Sequence, residues 1–456
     1  MKDYDTIVIG SGSGMTVVDG ALRQGHKVAL VDKGPLGGTC LNVGCIPSKM
    51  LVYPADRIAE IQEAKKLGIH AKITKVDFSA IMNRMRNAVK PSQEHMRHAI
   101  NQVPNLDYYE TTGKFIDKYV MEVNNEKIRG KRIYIGSGAR PLIPLIKGIE
   151  DCNYLTNETV FDLKKQPKSM IVVGGGYIAA EFGHFFAAIG TKVTIIQRGP
   201  RLVRNEEPEI SELLTREMGK RMEISTNTEA IEVQKNKDGY TINAKDKKTD
   251  KEKDFSAETI LIAAGRKSNA DLLQVEKTGV KTNSKGYIIV NEYLETSQKN
   301  IWAWGDAIGK FMFRHVANNE VEVVWHNTLH KQKIKMDYRA VPYAIFSYPQ
   351  IASVGITEEE AKQSYDVLIG KAHYSDVAKG EAMVEKNGFA KAIVEKNTGK
   401  ILGFHIIGPY APILIQEVIN SMAIGGSVQH VAHGMHIHPA LPELILATLG
   451  NLREPV

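Results

Sequence analysis

The sequence predicts an α/β fold: two Rossmann-like units, the second inserted into the first, followed by a smaller α+β region. Three observations carry this. A β-branched run at residues 6–9 breaks into Gly10-Ser11-Gly12-Ser13-Gly14 and then into an amphipathic helical pattern over 15–23. The same succession returns at 170–173, with Gly174-Gly175-Gly176 and a helical pattern from Tyr177. Finally, two strands close on matching glycine turns, 131–135 with Gly136-Ser137-Gly138 and 259–262 with Ala263-Ala264-Gly265, as expected where one unit is spliced into another. The expected boundaries are 1–149 with 268–335 for the first unit, 150–267 for the inserted one and 340–456 for the last region.

The first turn has the chemistry of a dinucleotide fingerprint. Gly10, Gly12 and Gly14 let the backbone approach a pyrophosphate at a helix N-terminus. A strand at 28–31 delivers Asp32, about 20 residues on, to accept from a ribose hydroxyl. The last glycine of the G-x-G-x-x-G pattern is replaced by Met15, which predicts a looser helix–strand contact. In the second fingerprint Gly174 and Gly176 take the first two glycine positions and Ala179 the third, which the pattern allows. Two fingerprints imply two dinucleotides.

The strand after the second fingerprint, 192–196, ends Ile195-Ile196-Gln197-Arg198, with Arg204 six residues later. An acidic residue there would bond the 2′-hydroxyl of NAD and repel a 2′-phosphate; arginine suits bidentate phosphate contact. The expectation is NADPH rather than NADH. The plainer reading of Arg198 and Arg204 is a pair of surface arginines in a basic protein.

The stretch Gly37-Gly38-Thr39-Cys40-Leu41-Asn42-Val43-Gly44-Cys45-Ile46-Pro47-Ser48-Lys49 holds two of the three cysteines, with four residues between them. A disulfide here closes a small ring. Structural disulfides gain more from longer loops, whereas a short accessible pair is readily reduced and suits redox chemistry. A helix expected from about residue 47, and Lys49, would both favour a thiolate at Cys45. The alternatives are a structural disulfide or half of a metal site, but no Cys or His pair at zinc spacing lies nearby. Cys152 reads as an ordinary thiol.

Elsewhere, 77–100 reads as an amphipathic helix interrupted at Pro91, and 235–253 as a solvated hairpin. The run Asn300-Ile301-Trp302-Ala303-Trp304-Gly305-Asp306 is a strand delivering Asp306 to a helix start, where it can cap the helix or accept from a polyol hydroxyl. From about Val341 the texture becomes α+β. Residues 342–354 read as a strand, Thr357 to Glu360 as a capping box, 388–407 as a hairpin and 413–424 as an apolar helix. Near the end, His438-Pro439-Ala440-Leu441-Pro442-Glu443 sets a histidine and a carboxylate across one turn. By itself this is a capped helix start. Beside a redox cysteine pair it is an acid–base group with its orienting partner.

Net charge is +7, hydrophobic content 43% and charged content 24%. No basic block with interleaved aromatics argues for nucleic-acid binding, and no apolar run is long enough to span a bilayer. The start has no signal-peptide pattern, and three cysteines do not make a secreted scaffold, so a cytoplasmic location is expected.

These residues together resemble the flavoprotein disulfide reductase family, class I pyridine nucleotide-disulfide oxidoreductases, over essentially the whole chain. The resemblance implies FAD in the first unit, with Gly138 and Asp306 on it, and NAD(P)H in the second, with Gly265 at its closing turn. It implies that Cys45 faces the flavin and Cys40 attacks the substrate disulfide. Lys49 would pair with Glu181 beside the flavin, and Tyr177 would cover it until the nicotinamide arrives. His438, oriented by Glu443, would come from the partner subunit of a homodimer serving cell redox homeostasis. The texture is similar to that of mycothione reductases in Gly10 to Gly14, His315-Val316-Ala317-Asn318 and Met435 to Ala440. The implied reaction is NADPH-driven reduction of a small disulfide of mycothione or glutathione type. The alternatives are dihydrolipoyl dehydrogenase and, more distantly, a non-catalytic flavin redox sensor.

Overall fold

The first strand, β1 (Lys2–Ile9), is buried at Ile7, Val8 and Ile9, as a central parallel strand flanked on both faces requires. The computed structural model describes residues 1–455. Within them the chain divides into two units, one of residues 1–48, 82–142 and 265–337, the other of 49–81, 143–264 and 338–455.

In the first unit β1 pairs in parallel with β2 (Val28–Asp32), and α1 (Met15–Arg23) makes the crossover. The sheet adds β3 (Leu106–Glu110), β4 (Lys114–Asp117), β5 (Val120–Val123) and β6 (Glu126–Ile135) in the order β3-β2-β1-β6-β5-β4, with Ile301–Ala303 parallel to β6. The strand order reverses at β1, so the glycine turn after it lies at the topological switch point, where such sheets take ligands. Beyond Ile301–Ala303, the Trp304 indole N–H donates to Ser13 Oγ at 2.8 Å and ties that strand to the turn. A short antiparallel ladder joins β7 (Ala139–Pro141) to Arg266–Ser268. This ladder keeps residues 139–141 and 266–268 in the first unit, and the boundaries fall at 142/143 and 264/265, both earlier in the chain than the expected 149/150 and 267/268.

The cysteine stretch is more helical than expected. α2 (Gly38–Val43) carries Cys40, and α3 (Cys45–Glu63) begins at Cys45 itself rather than near residue 47. Helix α4 (Phe78–Ile100) runs through Pro91.

In the second unit β8 (Ser169–Val173), α5 (Tyr177–Ala188) and β9 (Lys192–Ile196) repeat the βαβ arrangement. Helix α6 (Pro208–Gly219) leads to β10 (Glu223–Ser225). The expected hairpin at 235–253 belongs to a three-stranded sheet of β11 (Thr228–Asn236), β12 (Gly239–Asp246) and β13 (Glu252–Ala257). Strand β14 (Thr259–Ile262) closes the parallel sheet in the order β10-β9-β8-β14. The last region is a five-stranded antiparallel sheet with helices. The single strand expected over 342–354 is two, Pro342–Ile345 and Ile351–Gly355, because Ser347 Oγ donates to Pro349 O in a turn between them. Thr357 and Glu360 form the expected capping box. The helix expected over 413–424 is broken into Ala411–Leu414 and Gln416–Ala423. No helix among the described residues is long and apolar enough to cross a membrane.

Candidate active site

Both glycine turns are closed by backbone approach. Gly10 has φ +100°, and a Cβ there would stand 2.3 Å from Gly136 O at the end of β6. Gly174 has φ +124°, and a Cβ there would stand 2.2 Å from Ala263 O just after β14. The looseness expected from Met15 does not arise. Gly14 makes the close contact instead, since a Cβ on it would meet Gly10 O at 2.2 Å and Val8 Cγ1 at 3.0 Å. Gly12 lies against Gly38, whose own Cβ would come within 2.9 Å of Gly12 Cα. The N–H groups of Gly12, Ser13 and Gly14 find no partner among the described residues, which leaves a nest of donors at the start of α1.

Asp32 is oriented by two backbone donors. Ser11 N–H reaches Oδ2 at 2.5 Å and Gly34 N–H reaches Oδ1 at 2.7 Å. Each oxygen keeps a second lone pair for a sugar hydroxyl. Gly138 takes the left-handed conformation, φ +67°, after β6. Asp306 does not cap a helix: it sits in a three-residue 3-10 turn with no side-chain cap. Its carboxylate faces the buried Arg266, with Nε 3.3 Å from Oδ2. Burial pushes the Asp306 carboxyl up, and Arg266 opposes that.

In the second turn Gly176 opens to empty space and Tyr177 starts α5, half-buried. Gln197 folds over Gly175. Gly265, φ +125°, follows β14. Arg198 is exposed and 3.6 Å from Glu229, and Arg204 is exposed on the loop that follows. The two turns fit dinucleotides: both have a closed backbone, and the first adds unpartnered donors and an aimed carboxylate.

Cys40 is half-buried and Cys45 exposed. Hydrogen bonding to Cys45 and burial push the Cys40 thiol well above the ordinary range, with Arg314 opposing. Arg314, which the sequence reading missed, starts the helix Arg314–Leu329, and its Nη1 lies 3.5 Å from where a Cβ on Gly12 would be. Only its cationic character could have marked it, and 59 lysines and arginines share that.

In the second unit Lys49 Nζ donates to both oxygens of Glu181, at 2.8 and 2.6 Å. Phe346 N–H adds a third bond to Glu181 Oε1 at 3.1 Å, a partner no sequence signal announces. His438 Nδ1 is 2.8 Å from Glu443 Oε1, and Ala440 N–H donates to Oε2 at 3.0 Å. These two contacts, His438 first, hold the Glu443 carboxyl below the usual range. Cys152 is buried and its thiol donates to Gly148 O. Among the described residues no three His, Cys, Asp or Glu side chains are placed to hold a metal ion.

Residues 4–320 match the family described as pyridine nucleotide-disulphide oxidoreductase, and 341–448 match the dimerisation domain of that family. Mycothione reductase of Mycobacterium tuberculosis is 37% identical over 469 residues, covering 99% of this chain and all of that protein. Dihydrolipoyl dehydrogenase of Bacillus subtilis is 32% identical over 453 residues, covering 97% of this chain and 95% of that protein. The solved structure of the HOCl-induced flavoprotein disulfide reductase RclA of Escherichia coli superposes with a TM-score of 0.86 at 26% identity, covering 98% of this chain and 99% of the other.

Proposed function

Because the chain belongs to the pyridine nucleotide-disulphide oxidoreductase family, an FAD- and pyridine-nucleotide-dependent group of oxidoreductases acting on sulfur, we propose that it reduces a small disulfide of mycothione or glutathione type. The observation that carries the reading is the Cys40 thiol hydrogen-bonded to Cys45, on successive helices α2 and α3.

FAD and NADPH, when bound, would supply the electron pair and Cys40 and Cys45 would receive it, their disulfide opening to two thiols. Cys40, as thiolate, attacks one sulfur of the substrate and forms a mixed disulfide. The departing thiolate takes its proton from His438 of the partner subunit. Cys45 then attacks the Cys40 sulfur, re-forms the internal disulfide and releases the second thiol. Net, one disulfide, one NADPH and one proton give two thiols and NADP⁺. Arg314 favours the Cys40 thiolate against burial. Gly10, Gly12, Gly14, Asp32, Gly138 and Asp306 would hold the flavin nucleotide; Gly174, Gly176, Tyr177 and Gly265 would hold the nicotinamide nucleotide. Lys49 and Glu181 would serve the hydride-transfer side, and the two subunits would share each site.

Glu443 keeps the Nδ1 side of His438 engaged and so fixes which nitrogen faces the leaving thiol. Replacing Glu443 by Gln is expected to lower kcat roughly 10- to 100-fold with KM little changed. The carboxyl lies below its usual range in the folded chain. Its pairing therefore contributes at and above the ordinary carboxylate pKa, and is lost as pH falls through the lowered folded value. A Glu443→Gln enzyme with wild-type kcat would remove Glu443 from the mechanism.

Arg198 and Arg204 support NADPH, since no acidic side chain ends β9. Anaerobic stopped-flow reduction by each nucleotide tests this. Replacing both arginines by Gln is expected to weaken NADPH roughly tenfold or more and to leave NADH unchanged. A wild-type preference for NADH would overturn it and favour a second reading, dihydrolipoyl dehydrogenase activity, which the 32% identity to that enzyme supports.

A further inference from the structure

One helical turn beyond Glu181 stands a buried polar assembly that the chemistry above does not use. His184 of α5 has no exposed surface. Its Nε2 lies 2.9 Å from Asp56 Oδ1 on α3, and its Nδ1 lies 2.9 Å from Arg221 Nη1. A guanidinium has donors only, so Nδ1 must accept and the ring proton sits on Nε2, donated to Asp56. Burial lowers the His184 pKa, with Asp56 opposing, so the ring is neutral between a carboxylate and a cation. Arg221 also donates to Tyr348 O at 2.5 Å, and the Tyr348 ring stacks on His184 at 5.5 Å.

The same two elements hold Glu181. Helix α3 supplies Lys49 to Glu181 and Asp56 to His184; the two are seven residues apart, about two turns, and share a face. The segment 346–348 supplies Phe346 N–H to Glu181 and Tyr348 C=O to Arg221. Glu181 and His184, three apart, lie on one face of α5.

We propose that His184 is a positioning residue: with Asp56 and Arg221 it fixes the rotation of α5, so that Glu181 holds Lys49 in the orientation the hydride-transfer step requires. This rests on the reading of Lys49 and Glu181 given above.

The test uses the full-length holoenzyme, with flavin reduction by NADPH followed anaerobically. His184→Phe keeps a ring but removes both hydrogen bonds; it is expected to slow reduction about tenfold without changing the NADPH concentration at half-saturation. His184→Gln offers an acceptor to Arg221 and a donor to Asp56, and is expected to stay within about threefold of wild type. Once Glu181→Gln is present, His184→Phe is expected to cost less than about twofold more, because the two act as one unit. The visible flavin spectrum should shift in His184→Phe, and reoxidation by disulfide should not change. If His184→Phe does not fold, Asp56→Asn keeps the volume, drops the charge, and is read the same way. Full additivity with Glu181→Gln, a Gln variant as slow as Phe, or an unchanged reduction rate would overturn the proposal. Glu181→Gln reducing at the wild-type rate would instead overturn the Lys49–Glu181 reading, and this proposal with it.

Discussion

Replacing Cys40 with serine is expected to abolish disulfide turnover, by about 10³-fold or more, while NADPH still bleaches the bound flavin at its wild-type rate. The asymmetry follows from position. The Cys40 thiol is pushed up by its hydrogen bond to Cys45 and by burial, and Arg314 is the cation that opposes this. Serine keeps the size and the hydrogen bond but cannot form a disulfide, so the electron pair has no route to sulfur. Stopped-flow absorbance separates the two halves. A serine variant that turned over disulfide at the wild-type rate would show that electrons leave by another route. Replacing Cys45 instead leaves Cys40 able to attack once but without a partner to release it, so a mixed disulfide should accumulate and be visible by mass.

Replacing Gly10 with alanine is expected to cost about 3 kcal/mol of stability, from a strained positive φ and a collision of Cβ with backbone. The methyl would stand 2.3 Å from Gly136 O, and both residues directly follow parallel strands paired residue by residue up to Ile9 with Ile135. Neither can retreat without opening the sheet, and the nest of N–H donors begins two residues on. The variant should therefore unfold at lower denaturant and lose flavin on dilution. Gly176 is the control: φ is −83° and no atom lies within 4 Å of an added Cβ. Gly176→Ala should keep its unfolding midpoint within about 0.5 kcal/mol of wild type. Equal midpoints for Gly10→Ala and Gly176→Ala would show that the first turn tolerates expansion.

The errors in the sequence reading are as instructive as its successes. Met15 at the third fingerprint position predicted a loose helix–strand contact, but the chain uses Gly14, one residue earlier, for the close approach. Pattern matching counts positions, whereas packing only asks which residue meets Gly10 O and Val8. Asp306 read equally well as a cap or a polyol acceptor; the turn is too short to need a cap, and Arg266, 40 residues earlier, faces the carboxylate. Apolar runs at 342–354 and 413–424 read as single elements because hydrophobic content does not report a turn inside the run.

The sequence by itself determined what short-range chemistry controls. Glycine turns after β-branched strands, the four-residue gap between Cys40 and Cys45, the Thr357 capping box and the His438–Glu443 spacing all operate over five residues or fewer, so periodicity and residue type express them. Only the tertiary structure decided the long-range pairs. Glu181 and Lys49 are 132 residues apart, and His184 and Asp56 are 128 apart. One lysine among 59 basic residues has no local mark that it will meet a given glutamate. The physical reason is that burial selects these partners: a carboxylate or imidazole inside the fold must find a donor or a charge to offset lost hydration, and which one it finds depends on the crossing of helices and strands rather than on neighbours in the chain.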